Sequence, residues 1–168
     1  MTRNLVLLFA AIFTVLTALD LVTTWVGVFH MGYAETNPYS NLSSVEGAVI
    51  PEVILLCIGM AMVALGAQIK RTTLAASAKE GSRAFSKTML SWRHFSFTLL
   101  IYGPILLAIL RSVVVVSNAL LIFTGYGLFV DEEFSLLSRN QLVLIVSAVI
   151  LIRPTTYLIY RVCRASTP

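Results

Sequence analysis

The sequence predicts an all-α integral membrane protein, a four-helix bundle whose two termini both lie on the cytoplasmic side. Hydrophobic residues make up 58% of the 168 residues and charged residues only 12%. A soluble domain is about 45–50% apolar and about 25% charged, so this composition belongs to the membrane class. Four apolar runs also reach the ~20 residues that a bilayer-crossing helix needs. Finally, Lys and Arg are distributed unequally among the connections, which sets the orientation.

The four predicted spans cover residues 5–30, 51–69, 95–124 and 141–160 of a single membrane domain that occupies residues 1–168. Arg3 precedes the first run, as a basic residue does in a signal peptide. However, the run is longer than the apolar part of a signal peptide and contains Asp20. We therefore interpret it as a retained helix.

The orientation follows from the charged residues of the connections. The connection 70–94 contains six Lys or Arg residues and one acid, Glu80. The connection after the third span contains Asp131, Glu132 and Glu133, with Arg139 near its end, and the one after the first span contains no Lys or Arg. Because cytoplasmic connections are enriched in Lys and Arg, this alternation predicts an N-in, C-in topology.

The basic connection 70–94 is the longest between spans, and Gly81 is its expected break. Two short amphipathic helices at the inner leaflet are one interpretation, and a solvated loop is the other. In either case, the basic side chains are expected to attract anionic lipid.

Two ionisable residues lie deep in the predicted spans, Asp20 in the first and Arg111 in the third. A rise of 1.5 Å per residue places each roughly 22 Å from the inner end of its span. A charge at such a depth costs several kcal/mol unless it is paired. The sequence therefore predicts that Asp20 and Arg111 form an intramembrane pair. Such a pair either fixes the register of the helices or forms a polar site for a substrate, a proton or a partner helix.

Other polar residues support this predicted pair. On the first helix, the face of Asp20 also carries hydroxyl side chains, namely those of Thr17, Thr23 and Thr24. On the third helix, Asn118 follows Arg111 by seven residues and so lies on nearly the same face. Arg153 of the fourth span lies nearer the inner end, where its long side chain can reach the membrane surface.

The outer connection contains Glu35 and a helix-start pattern, Asn37 followed by Pro38. Together with Asp20, the side chains of His30, Glu35 and Asn37 are candidates to ring a metal ion or a substrate on the outer side. One His with scattered carboxylates is a weak ligand set, so we predict no metal, no cofactor and no catalytic residue. The sequence also has no HExxH, P-loop or dinucleotide-binding pattern.

Asp20, Thr23 or Thr24, Gly32 and the run Glu35-Thr36-Asn37-Pro38 together resemble the D-x-x-T…G-x-x-E-x-N-P signature of small prokaryotic multi-span membrane proteins, a domain-of-unknown-function family. The match covers about 20 of the 168 residues. The resemblance implies a multi-pass protein of the prokaryotic inner membrane, in which Asp20, Glu35, Asn37 and Pro38 act as one unit. It implies no activity.

Three functions fit the sequence. The first is a structural or accessory protein that works through helix packing and the Asp20–Arg111 pair, in a homo-oligomer or a larger membrane complex. The second is a small oligomeric transporter or channel lined by that pair. The third, an outer-face enzyme, would use Asp20, Glu35 and His30. The bilayer is the expected partner, and nucleic acid is not, because most of the basic residues lie beside apolar spans.

Overall fold

The computed structural model describes residues 1–32, 45–91, 94–126, 128 and 139–166. Within these residues the chain forms six helices and no strand, which confirms the all-α prediction. The helices are α1 (Thr2–Met31), α2 (Val45–Ile69), α3 (Arg71–Glu80), α4 (Ser82–Met89), α5 (Phe95–Thr124) and α6 (Arg139–Ala165).

Four helices, α1, α2, α5 and α6, are long and apolar enough to cross a membrane. The 30 residues of α1 and of α5 measure roughly 45 Å at 1.5 Å per residue, which exceeds the ~30 Å of a hydrocarbon core. Large apolar side chains cover much of the outer surface, as on α2, where Ile54, Leu55 and Ile58 are about half exposed. The four helices fit a membrane protein, and the N-in, C-in orientation stays a prediction.

The helix bounds agree with the predicted span for α5, whereas α2 and α6 are longer than predicted. α2 begins at Val45 and continues through Pro51, which the sequence suggested as its first residue. α6 continues to Ala165, five residues beyond the predicted span. An apolar run ends at the first polar side chains, but a helix continues past them because Arg and Glu are good helix formers.

The connection between α2 and α5 is folded into the short helices α3 and α4, which meet at Gly81. Gly81 has φ +113°, a conformation that side chains with a Cβ rarely adopt, and it separates the two helices. α4 is amphipathic: Phe85 and Met89 are buried, while Arg83 and Lys87 are exposed.

The start of α1 and the end of α6 lie at one end of the bundle together with α3 and α4, and we call this the basic end. The Asn4 side chain donates a hydrogen bond to Ser166 Oγ at 2.9 Å. Arg164 donates to the carbonyl oxygens of Ala78 and Lys79 at 3.0 and 2.9 Å, which caps the last turn of α3. α1 and α5 therefore run away from the basic end, and α2 and α6 return to it.

The buried apolar core lies in the half of the bundle next to the basic end. It is built from all six helices: Leu5, Phe9, Val63, Ala67, Leu74, Ala78, Phe85, Met89, Ile101, Ile105, Ile159 and Cys163. Within it, the absence of a side chain at Gly59 lets α2 approach α1 closely. A Cβ atom there would overlap the Phe9 ring and lie 2.6 Å from its Cε1. Beyond this core, the interior between α1, α2 and α5 becomes polar.

Candidate functional site

A charge cluster occupies the polar interior, and Arg111 of α5 is its centre. Arg111 Nη1 donates to Glu52 Oε2 at 2.6 Å, and Nη2 donates to Glu52 Oε1 at 2.8 Å. These two parallel bonds form the bidentate arrangement that is the strongest contact between Arg and a carboxylate. Glu52 lies on α2, so the contact joins α5 to α2.

The same guanidinium also contacts α1. Its Nε lies 3.5 Å from Asp20 Oδ2, an ion-pair distance that is longer than a charge-assisted hydrogen bond. Nη1 also donates to the hydroxyl of Thr17, which lies one turn before Asp20. The guanidinium carbon lies 5.2 Å from the centre of the Phe13 ring, within cation–π range. Arg111 therefore connects all three helices.

Asn118 forms the second layer of the cluster, two turns beyond Arg111 on α5. Its Nδ2 lies 3.1 Å from Thr24 Oγ1, 3.3 Å from Asp20 Oδ1 and 3.4 Å from Thr23 Oγ1. An amide nitrogen has only two hydrogens, so these three acceptors share two donated bonds. Thr24 Oγ1 is also 3.5 Å from Asp20 Oδ1. Asn118 thus holds the Asp20 carboxylate on the side away from Arg111.

The cluster contains three ionisable side chains, the carboxylates of Asp20 and Glu52 and the guanidinium of Arg111. The three side chains are only partly enclosed, with exposed fractions of 21%, 18% and 19% respectively. Charges in an apolar span are costly unless they are paired, so the contacts of Arg111 with the two carboxylates stabilise the cluster.

Of the residues singled out in the sequence, the structure brings together Asp20, Arg111, Thr17, Thr23, Thr24 and Asn118. Arg153 does not join them. It follows Ile152, whose carbonyl oxygen accepts a hydrogen bond from Tyr102 at 2.9 Å. Tyr102 precedes Arg111 by nine residues, or roughly 13 Å along α5, so Arg153 lies nearer the basic end.

His30 is not placed beside Asp20 either. His30 lies ten residues beyond Asp20, roughly 15 Å along α1, and its ring packs against Trp25 with the ring centres 4.7 Å apart. The structure therefore does not join His30 to the cluster. Glu35, Asn37 and Pro38 lie outside the described residues.

Sequence reasoning missed Glu52, the residue with the best contact to Arg111. Glu52 follows Pro51, and a span that starts at this proline places its second residue at the membrane edge. One signal was present: Glu52, Gly59 and Gly66 are spaced by seven residues and so share one face of α2. Gly59 on that face packs against α1, so an acid in register with it points into the bundle.

Comparison of the chain with protein-family models, with curated proteins and with solved structures finds no match. The geometry of the cluster is therefore the basis for assigning a role.

Proposed function

We propose that the chain is an accessory membrane protein that works through helix packing, with the charge cluster fixing the register of α1, α2 and α5. The observation that supports this most directly is that one side chain, Arg111, bonds to two other helices at once. Sliding any of the three helices by one turn, about 5.4 Å, would break these contacts, since hydrogen bonds do not extend beyond ~3.5 Å.

A fixed register matters for such a protein because it defines the outer surface that neighbouring membrane helices meet. The outward face of α2 carries a row of half-exposed Val, Ile and Leu side chains. In this proposal, that face packs against a second copy of the chain or against a larger membrane complex. The function is then association itself, and the cluster maintains the geometry that association needs.

The test is capture of the full-length chain from its native membrane in a mild detergent, followed by native mass determination. We expect the wild-type chain in a defined complex. The double variant Glu52→Gln with Arg111→Gln should be inserted in the membrane but recovered with far less partner. Arg83→Gln, on the exposed face of α4, is the control and should keep the complex. A wild-type chain that is monomeric in every extract would contradict the proposal.

A small oligomeric transporter or channel is the second candidate, and the partly exposed carboxylates of Asp20 and Glu52 favour it. Partly exposed intramembrane carboxylates are typical of proton and cation pathways. Four helices rarely enclose a pathway, so this candidate also requires a homo-oligomer. Proton and cation flux into vesicles that contain the purified chain tests it: flux abolished by Asp20→Asn or Glu52→Gln would support transport, and no flux above empty vesicles would exclude it.

The third candidate, an outer-face enzyme, loses support because His30 lies far from Asp20.

A further inference from the structure

A second polar site lies at the basic end, far from the charge cluster, where α4 crosses α6. It is an open cavity of about 710 Å³. Two cations line it, Lys87 from α4 and Arg153 from α6. Hydroxyl groups surround them, contributed by Ser82, Ser86, Ser91 and Tyr157.

The two cations of this cavity have no acidic partner within the described part of the chain. Arg153 belongs to a helix that is apolar enough to span a membrane, and a charge there is costly without a counter-charge. The lining therefore offers an anion two positive charges and several hydroxyl donors. A phosphate group fits this lining, because its oxygens accept many charge-assisted hydrogen bonds at once.

An apolar stripe leads away from the cavity along α6. Val146, Val149 and Ile150 lie on the same helical face as Arg153 and Tyr157, since their spacing follows the helical repeat. They are 49%, 63% and 67% exposed, among the most exposed apolar side chains of the protein. The stripe runs toward the opposite end of the bundle, so an acyl chain could lie along it while its headgroup occupies the cavity.

We propose that the cavity between α4 and α6 binds the phosphate of an anionic phospholipid, with Lys87 and Arg153 as its ligands and the α6 stripe beneath its acyl chain. Free phosphate has the same charged oxygens as the headgroup, but it has no acyl chain to contact the apolar stripe that continues from Arg153. This inference is independent of the charge cluster and of the proposed function. It assigns to two named residues the affinity for anionic lipid that a basic membrane-surface segment has in general.

The experiment uses native mass spectrometry of the full-length chain, released from detergent micelles that contain equal amounts of phosphatidylglycerol and phosphatidylcholine. We expect phosphatidylglycerol to remain bound preferentially to the wild-type chain. Removing both cations, in Lys87→Gln with Arg153→Gln, should weaken this binding roughly 30-fold, from the usual contribution of two cations near an anionic surface. The matched control, Arg71→Gln with Arg83→Gln, removes the same charge from exposed positions outside the cavity and should retain the lipid.

A second pair of variants separates loss of the site from loss of the fold. Lys87→Arg with Arg153→Lys keeps both charges and should keep most of the preference for phosphatidylglycerol. A preference that is equal in the wild-type chain and the Gln double variant would overturn the proposal. In the last arm, inorganic phosphate is added at millimolar concentration. If phosphate displaces the lipid, and if the chain shows no preference for phosphatidylglycerol over phosphatidylcholine, the site binds free phosphate and the lipid assignment is overturned.

Discussion

Glu52 and Arg111 form the closer ion pair of the cluster, with nitrogen–oxygen distances of 2.6 and 2.8 Å, whereas Asp20 approaches Arg111 no closer than 3.5 Å. The carboxylate on α2 therefore occupies the planar edge of the guanidinium, and the carboxylate on α1 lies beside its Nε. This order of the two acids determines how the cluster responds to substitution.

Glu52→Gln should destabilise the protein more than Asp20→Asn. Removing the charge of Glu52 weakens two charge-assisted hydrogen bonds, which we expect to cost about 1.5–3 kcal/mol. Asp20→Asn keeps an oxygen for Asn118 and leaves Arg111 with one full partner, so we expect less than about 1 kcal/mol. The free energy of unfolding in mixed detergent measures both. Equal losses would mean that the two carboxylates share the guanidinium evenly.

Arg111→Met should be the most damaging single substitution in the cluster, since it leaves two carboxylates without their cation. We expect a loss of about 3–5 kcal/mol, the usual result of breaking a buried pair from one side. Adding Glu52→Gln should restore part of that loss, with a coupling energy above about 1 kcal/mol. Adding Asp20→Asn should restore less. Strict additivity in the Glu52 cycle would show that the bidentate contact contributes nothing.

The sequence was sufficient to place Asp20 and Arg111 on facing polar stripes at similar heights. The helical periodicity gives the face of each residue, and the rise per residue gives its height. The sequence did not reveal that Glu52 stands between α2 and α5. The position of Glu52 in the membrane depends on where α2 begins. The apolar run starts at Pro51, but the helix begins six residues earlier, so Glu52 lies two turns inside α2 and not at its start. The end of α6 was misplaced for the same reason, because the helix continues five residues beyond the end of its apolar run.

Gly59→Ala should cost about 1–3 kcal/mol of stability through overpacking, because its Cβ would overlap the ring of Phe9. Phe9 is only 2% exposed and has little space to move. Gly103→Ala is the matched control on α5, since its Cβ would meet only the Leu99 side chain at 3.7 Å, an ordinary contact. That control should be neutral or stabilising, because Ala is a better helix former than Gly. Equal detergent melting temperatures for both variants would show that α1 and α2 do not pack closely at Gly59.

Residues 2 and 82 should lie on the same side of the membrane, and residue 135 should lie on the other side. The contacts of Asn4 with Ser166 and of Arg164 with α3 place residue 2 and residue 82 at the same end of the bundle. Single cysteines at Thr2 and Ser82, in a chain that lacks Cys57 and Cys163, should therefore react with a membrane-impermeant maleimide from the same side. A cysteine at Ser135, between α5 and α6, should react from the other side.

The excess of Lys and Arg in the connection 70–94 further predicts that residues 2 and 82 react only after the inner face is opened. Opposite labelling of residues 2 and 82 would contradict the bundle, whereas a uniform reversal of all three would keep the bundle and overturn the N-in, C-in orientation.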